Sequence, residues 1–198
     1  MRTLLEQQYV ALAAWLDEVP VSAHLVEPVG LGDWTVRELV AHLGLGIGLS
    51  RFVTTAPEGA VPLSLGEYVR AYPPAADQIV ADTRALSTAF GDDVVAGFRR
   101  TASEAFAALD ATPGLEDVAR DDYLTTRLVE LVVHGDDLQR ALGRADAPLL
   151  PAAVASVGAA LAAAYVERGG VARRPEGLEW IRLATGRVAS EDPLLPLL

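Results

Sequence analysis

Glu130 and His134 of the run RLVELVVHGDDL stand four residues apart, a spacing that stacks two side chains on one face of a helix. A carboxylate and an imidazole so placed can share a metal ion. A third donor, His42, lies in the distant run WTVRELVAHL, which also reads as helix and can meet the pair only across a bundle. Two nitrogens and one oxygen are the ligand set of a zinc-type site that keeps one position open for chemistry. The plainer alternative is a surface helix whose Glu130 and His134 form an i,i+4 pair worth about a few tenths of a kcal/mol, with His42 a hydrogen-bonded core residue.

At about 100° per residue, Tyr123, Arg127, Glu130, His134 and Asp137 fall inside an arc of roughly 80°. Leu124, Leu128, Leu131, Leu138 and Leu142 lie beside it. A polar stripe bordering an aliphatic one lets a bundle helix point donors inward. Arg127 and Asp137 are candidates for groups that orient His134 and Glu130, as metal sites require, or else for a solvated ion pair. Arg127 is also a candidate for holding a carboxylate of substrate or cofactor, with Tyr123 beside it. His24, in the loop after Pro20, reads as exposed.

Two other chemistries find little support. Gly44, Gly46 and Gly48 follow no strand and lack the lysine of a phosphate-binding loop; they read as small residues permitting close helix contact. No Gly-x-Ser-x-Gly elbow is present.

The elements that must position the donors are all helical. A first helix is expected from Thr3 to Glu18, with Thr3-x-x-Glu6 as a capping box and Pro20 ending it. Thr35-x-x-Glu38 forms a second capping box, stapled by Trp34 and Leu39, for a helix running to about Phe52. Ser64-x-x-Glu67 can cap a short helix that Pro73-Pro74 interrupts. Helices over 75–90 and 92–110 divide at Gly91-Asp92-Asp93, or form one bent helix. After the turn Thr112-Pro113-Gly114 comes the donor helix, Asp121 to Leu142, closed by Gly143. Pro151 opens the next helix, Gly169-Gly170 stops it, and a short one runs from Glu176 to Thr185. No alternating strand series, repeat or low-complexity tract is found, so the chain reads as all-α.

Composition narrows the partners. The chain has 198 residues, 51% of them hydrophobic, enough for one sizeable core. Arginine supplies all 16 basic residues against 27 acidic ones, and a net charge of -11 disfavours nucleic acid and anionic membrane surfaces. The Ala-rich stretch from Ala152 to Tyr165 is shorter than the roughly 20 residues of a bilayer span. The first residues show no leader pattern, so the cytoplasm is the expected location. With no cysteine, thiolate ligands and a cysteine nucleophile are excluded, and any sulfur chemistry needs a thiol from outside.

The segments Asp33-Trp34-Thr35-Val36-Arg37-Glu38-Leu39-Val40-Ala41-His42-Leu43 and Arg127-Leu128-Val129-Glu130-Leu131-Val132-Val133-His134-Gly135-Asp136-Asp137-Leu138 together resemble the mycothiol-dependent maleylpyruvate isomerase family, within the DinB-like metal-binding helix bundles. The likeness covers about residues 1–168. It implies a four-helix bundle with a crossover connection, with His42, Glu130 and His134 matching the family's metal triad and mycothiol as the thiol. Residues 169–198 are a C-terminal extension, in which Leu178-Glu179-Trp180-Ile181-Arg182-Leu183-Ala184-Thr185-Gly186-Arg187 is similar to the end of a sterol-carrier-like region. The leading expectation is a metalloenzyme whose divalent ion, zinc by its ligand set, binds a small thiol for isomerisation or S-transfer on an electrophilic small molecule. A noncatalytic metal- or ligand-binding helical module and a metal-dependent hydrolase are the alternatives.

Overall fold

The computed structural model describes residues 1–52, 64–70, 73–111, 118–172 and 176–198. Among these the chain forms eight α-helices and no strand: α1 (Arg2–Glu18), α2 (Val36–Gly48), α3 (Leu65–Arg70), α4 (Ala76–Phe90), α5 (Val94–Asp110), α6 (Val118–Ala141), α7 (Pro151–Glu167) and α8 (Gly177–Ala184). The turn expected at Thr112-Pro113-Gly114 lies outside the described residues.

Most helix ends follow the local chemistry. The Thr35–Glu38 capping box forms in both directions, Glu38 N–H to Thr35 Oγ1 at 3.4 Å and Thr35 N–H to Glu38 Oε2 at 2.8 Å. Ser64 and Glu67 repeat it at α3. Pro151 opens α7, where its missing N–H leaves no bond unmade. Gly91, at φ +66°, breaks α4 from α5 and removes the single-bent-helix alternative, and Asp93 then caps α5 through the Ala96 N–H. Gly143, at φ +60°, closes α6 with the paired bonds of a Schellman turn.

Two expectations need correction. The Thr3–Glu6 capping box does not form, because α1 already begins at Arg2 and Thr3 sits inside its first turn. Glu6 instead pairs with Arg2, whose other arm reaches Asp110 of α5 at 2.9 Å. The helix after Thr35 stops as α at Gly48 and tightens into a 3₁₀ turn over Leu49–Phe52.

Four helices, α1, α2, α5 and α6, surround the main core, and the long connection from α2 to α5 carries α3 and α4. Leu5, Leu12, Leu39, Leu43, Ile47, Phe98, Leu124, Leu128, Leu131 and Leu138 are fully buried there. Truncating any one of these leucines to alanine costs about 2–5 kcal/mol. The glycines of α2 set how closely it is approached. A Cβ on Gly44 would meet the Phe90 ring at 3.0 Å, one on Gly46 the Glu130 side chain at 3.3 Å, and one on Gly48 Thr101 at 2.7 Å. Close helix contact is therefore their use, and it draws α6, with Glu130, against α2.

Residues 176–198 fold back onto the bundle. Trp180 donates to the Gly158 carbonyl at 2.9 Å and packs edge-on to Tyr165, while Arg168 holds the carbonyls of Leu194, Pro196 and Leu197. No helix among the described residues is long and apolar enough to cross a membrane.

Candidate metal centre

His42 comes from the middle of α2, and Glu130 and His134 from the middle of α6. Their helices touch through Gly46, and this contact closes the gap of 88 residues between His42 and Glu130. His42 Nε2 lies 3.1 Å from Glu130 Oε2, and His134 Nε2 lies 3.3 Å from the same oxygen. The two rings meet edge to face with centroids 4.7 Å apart. One potential ligand atom from each residue lies within 4.8 Å of the others, a grouping no other set of side chains repeats among the described residues.

The donor set fits a divalent cation. Ligands about 2.0–2.1 Å from a tetrahedral ion are about 3.3 Å from one another, and the two separations at Glu130 Oε2 have that length. The far nitrogens of both rings are also occupied. His134 Nδ1 faces Asp137 Oδ2 at 3.0 Å, and His42 Nδ1 faces Thr83 Oγ1 of α4 at 3.1 Å. A carboxylate accepts only, so His134 donates its Nδ1–H to Asp137, and its neutral form has the lone pair on Nε2, facing the other donors; the Thr83 hydroxyl, able to accept, allows His42 the same tautomer.

Titration behaviour follows from this packing. Burial holds His42 below the usual imidazole value, outweighing the pull of Glu130. Burial opposes the charge on Glu130, yet hydrogen bonds from His134 and His42 hold it well below the usual carboxylate range. His134 lies above its ordinary value, because Asp137 and Glu130 outweigh its burial. Burial likewise raises Asp137, but His134 and Arg187 bring it down to about 2. The centre thus holds an ionised Glu130 and a neutral His42 near neutral pH, while His134 keeps its charged form to a higher pH than a free imidazole does.

The donors open onto a cavity of about 380 Å³. Its walls are mostly apolar: Trp34, Ile79, Val80, Val129, Val133 and Leu198, with Arg187 the cationic member. Trp34 lies against the His42 ring, centroids 4.8 Å apart.

Arg127 and Tyr123 lie elsewhere. Arg127 is 1% exposed and donates to the Gly46 carbonyl at 3.4 Å, to Thr126 Oγ1 at 3.0 Å and to the Tyr68 hydroxyl, with its guanidinium over the Tyr123 and Tyr68 rings. Tyr123 donates to the Leu49 carbonyl. Neither residue lines the cavity, and Asp137 pairs with Arg187 rather than with Arg127. His24 pairs with Glu27 in the loop after α1.

Three residues at the centre escape periodicity. Thr83 leaves a trace, a polar residue on the stripe Ile79, Thr83, Leu86 and Phe90 of α4. Trp34 is visible in sequence as a staple, but its contact with His42 is not. Arg187 follows the last helix on a turn made by Gly186 at φ +73°, and no helical pattern reaches that far.

No curated protein and no solved structure matches the chain significantly. The family model described as "Mycothiol maleylpyruvate isomerase N-terminal domain" matches residues 5–139, which contain all three donors. With more than half of its length matched, the chain belongs to the mycothiol maleylpyruvate isomerase family through that domain.

Proposed function

We propose that His42, Glu130 and His134 hold one divalent cation, zinc by preference, and that the centre serves a small thiol in isomerisation or S-transfer on an electrophilic small molecule. The observation that carries this reading is the convergence of two imidazole Nε2 atoms on one carboxylate oxygen, each ring backed at Nδ1. Scaffolding alone has no need of that arrangement. The cation supplies the charge that lowers the pKa of a coordinated thiol.

The chain's own residues supply position and environment. Asp137 favours the His134 tautomer with its lone pair on Nε2, and the Thr83 hydroxyl can accept the Nδ1 proton of His42 when its Nε2 meets a cation. Glu130 contributes the negative charge that makes a cation welcome in a largely apolar cavity. Trp34, Val129 and Val133 keep water from the reacting atoms. Arg127 and Tyr123 serve the scaffold, tying α6 to α2 and the turn after it through the Gly46 and Leu49 carbonyls, and hold no ligand.

The chain has no cysteine, so the nucleophilic sulfur comes from outside. Membership of the family makes mycothiol the first thiol to test. We place the reaction in the cytoplasm, where small thiols are kept reduced, and its partners are that thiol and the electrophile.

Protein prepared without metal-affinity resin should contain about one equivalent of a divalent transition metal, and His134→Ala should remove it. Metal below about a tenth of an equivalent, unchanged by added zinc, would sink the proposal. The loaded protein, given mycothiol and simple electrophiles such as maleylpyruvate, should form conjugate or isomer. Turnover without thiol would instead indicate hydrolysis by metal-activated water, and no turnover on any electrophile a binding module.

A further inference from the structure

Asp136 and Asp137 are consecutive on α6, buried, and each is gripped by an arginine from the end of the chain. Arg182 Nε and Nη2 reach the two oxygens of Asp136 at 2.8 and 2.6 Å. Arg187 sends Nε to Asp137 Oδ1 at 3.2 Å and Nη2 to Oδ2 at 2.8 Å. Planar forks matched to carboxylates fix orientation as well as distance. Only one of the two carboxylates goes further, since Asp137 Oδ2 also accepts from His134 Nδ1.

Arg187 is itself held. Its Nη1 donates to the Thr185 carbonyl at 2.7 Å, and its backbone N–H bonds the Arg182 carbonyl at 2.8 Å to close α8. Gly186, in the left-handed region, makes the turn that aims the side chain at α6. The path from the turn after α8 to His134 therefore runs through one guanidinium and one carboxylate.

Resting on the metal reading above, we propose that Arg187 is a positioning residue of the centre. By fixing Asp137 against His134 it makes docking of residues 176–198 and cation binding at His42, Glu130 and His134 reinforce each other. A cation on His134 Nε2 makes the Nδ1–H a stronger donor and tightens its bond to Asp137. Asp137 so engaged is a better-placed partner for Arg187. Coupling of this kind is reciprocal: whatever factor the docked segment adds to cation affinity, the cation adds to docking.

The test compares the full chain with Arg187→Gln, Arg187→Lys and Arg182→Gln. Zinc affinity is read by chelator competition and donor geometry by the absorption of the cobalt(II) form. Arg187→Gln should bind zinc about tenfold more weakly with an altered cobalt spectrum, and Arg187→Lys should recover part of both. Arg182→Gln, whose partner does not touch His134, should shift affinity less. Zinc should also slow hydrogen exchange at residues 182–188 of the unsubstituted chain.

Equal zinc affinity and equal cobalt spectra for a folded Arg187→Gln would overturn the inference while leaving the metal reading intact. If that variant does not fold, the exchange measurement decides alone, and protection unchanged by zinc overturns the inference. Failure of the unsubstituted chain to bind zinc would overturn both.

Discussion

Arg127 and Glu130 lie one turn apart on α6 and are both largely buried, yet the polar groups around them are arranged in opposite ways. Around Arg127 the contacts among described residues end on groups of the scaffold: the Gly46 carbonyl, the Thr126 and Tyr68 hydroxyls, two aromatic faces. The charge is enclosed, and α2, α3 and α6 are drawn together around it. Around Glu130 the polar atoms point at one another instead, two ring nitrogens at one oxygen, while the supports stand behind the rings and the front opens on a cavity. Burial is shared by the two clusters. What separates them is where the polar groups face, into the scaffold or toward one another beside a cavity.

The sharpest way to break that contrast is to remove one member of each cluster. His134→Ala should abolish tight zinc binding, by a factor of about a thousand or more, since two donors do not make a stable site. Arg127→Met should do the reverse, lowering stability by about 2–4 kcal/mol because buried acceptors lose their donor, while the folded fraction keeps zinc. Calorimetric melting and zinc titration of both variants check this. A stable Arg127→Met that has lost zinc would mean the two clusters are one.

Thr83→Val probes the support behind His42. Without cation the imidazole can carry its proton on Nε2, donate to Glu130 and leave Nδ1 a bare acceptor, a smaller loss than a bare buried N–H, so the melting temperature should fall only slightly. With cation Nε2 is committed and the Nδ1–H is buried unpaired, at a cost of about 1–3 kcal/mol. Zinc affinity should therefore fall about tenfold with stability nearly untouched. An equal fall in both would place Thr83 with the scaffold.

How much of this the sequence carries depends on the distance over which a feature is determined. The caps at Thr35 and Ser64, Pro151 and the stop at Gly143 are set within a few residues, and they are legible. The Glu130–His134 pair is legible for the same reason, as is the flank position of His42. The Thr3–Glu6 box fails because the helix starts at Arg2, which places Thr3 inside the first turn, and Arg2 competes for Glu6. Arg187 and Thr83 join the centre only through tertiary packing, which no local period encodes. The meeting of His42 with the pair is a tertiary fact too, and here the three glycines of α2 are the sequence trace that close approach leaves.

Gly46→Ala tests that trace with a smaller effect. In a helix interior alanine gains about 0.8–1.0 kcal/mol over glycine, but the new Cβ would stand 3.3 Å from the Glu130 side chain, tighter than ordinary contact. The two terms offset, so net stability should move by less than about 1 kcal/mol. Glu130 must still give way, and zinc affinity should drop severalfold. Unchanged affinity would show that the donors tolerate the shift and that the close approach of α2 serves packing alone.

The smallest effect on zinc affinity belongs to the cap of α2, which anchors the helix of His42 without touching that residue. Burial pushes the Glu38 carboxyl up, but bonds from the Thr35 backbone and side chain and from Arg84 hold it below 4.5. A carboxyl lowered in the fold contributes stability that is present above its unfolded value, near 4.5, and is lost as pH falls through the folded value. Thr35→Ala should cost about 1 kcal/mol at neutral pH, and Glu38→Gln should flatten the acid limb of the stability profile below pH 4.5. Neither should alter zinc affinity at neutral pH, because the cap sets where α2 starts and the Gly46 contact sets where His42 meets Glu130. A zinc affinity that followed the cap would show the donor geometry to be held by the helix end rather than by its middle.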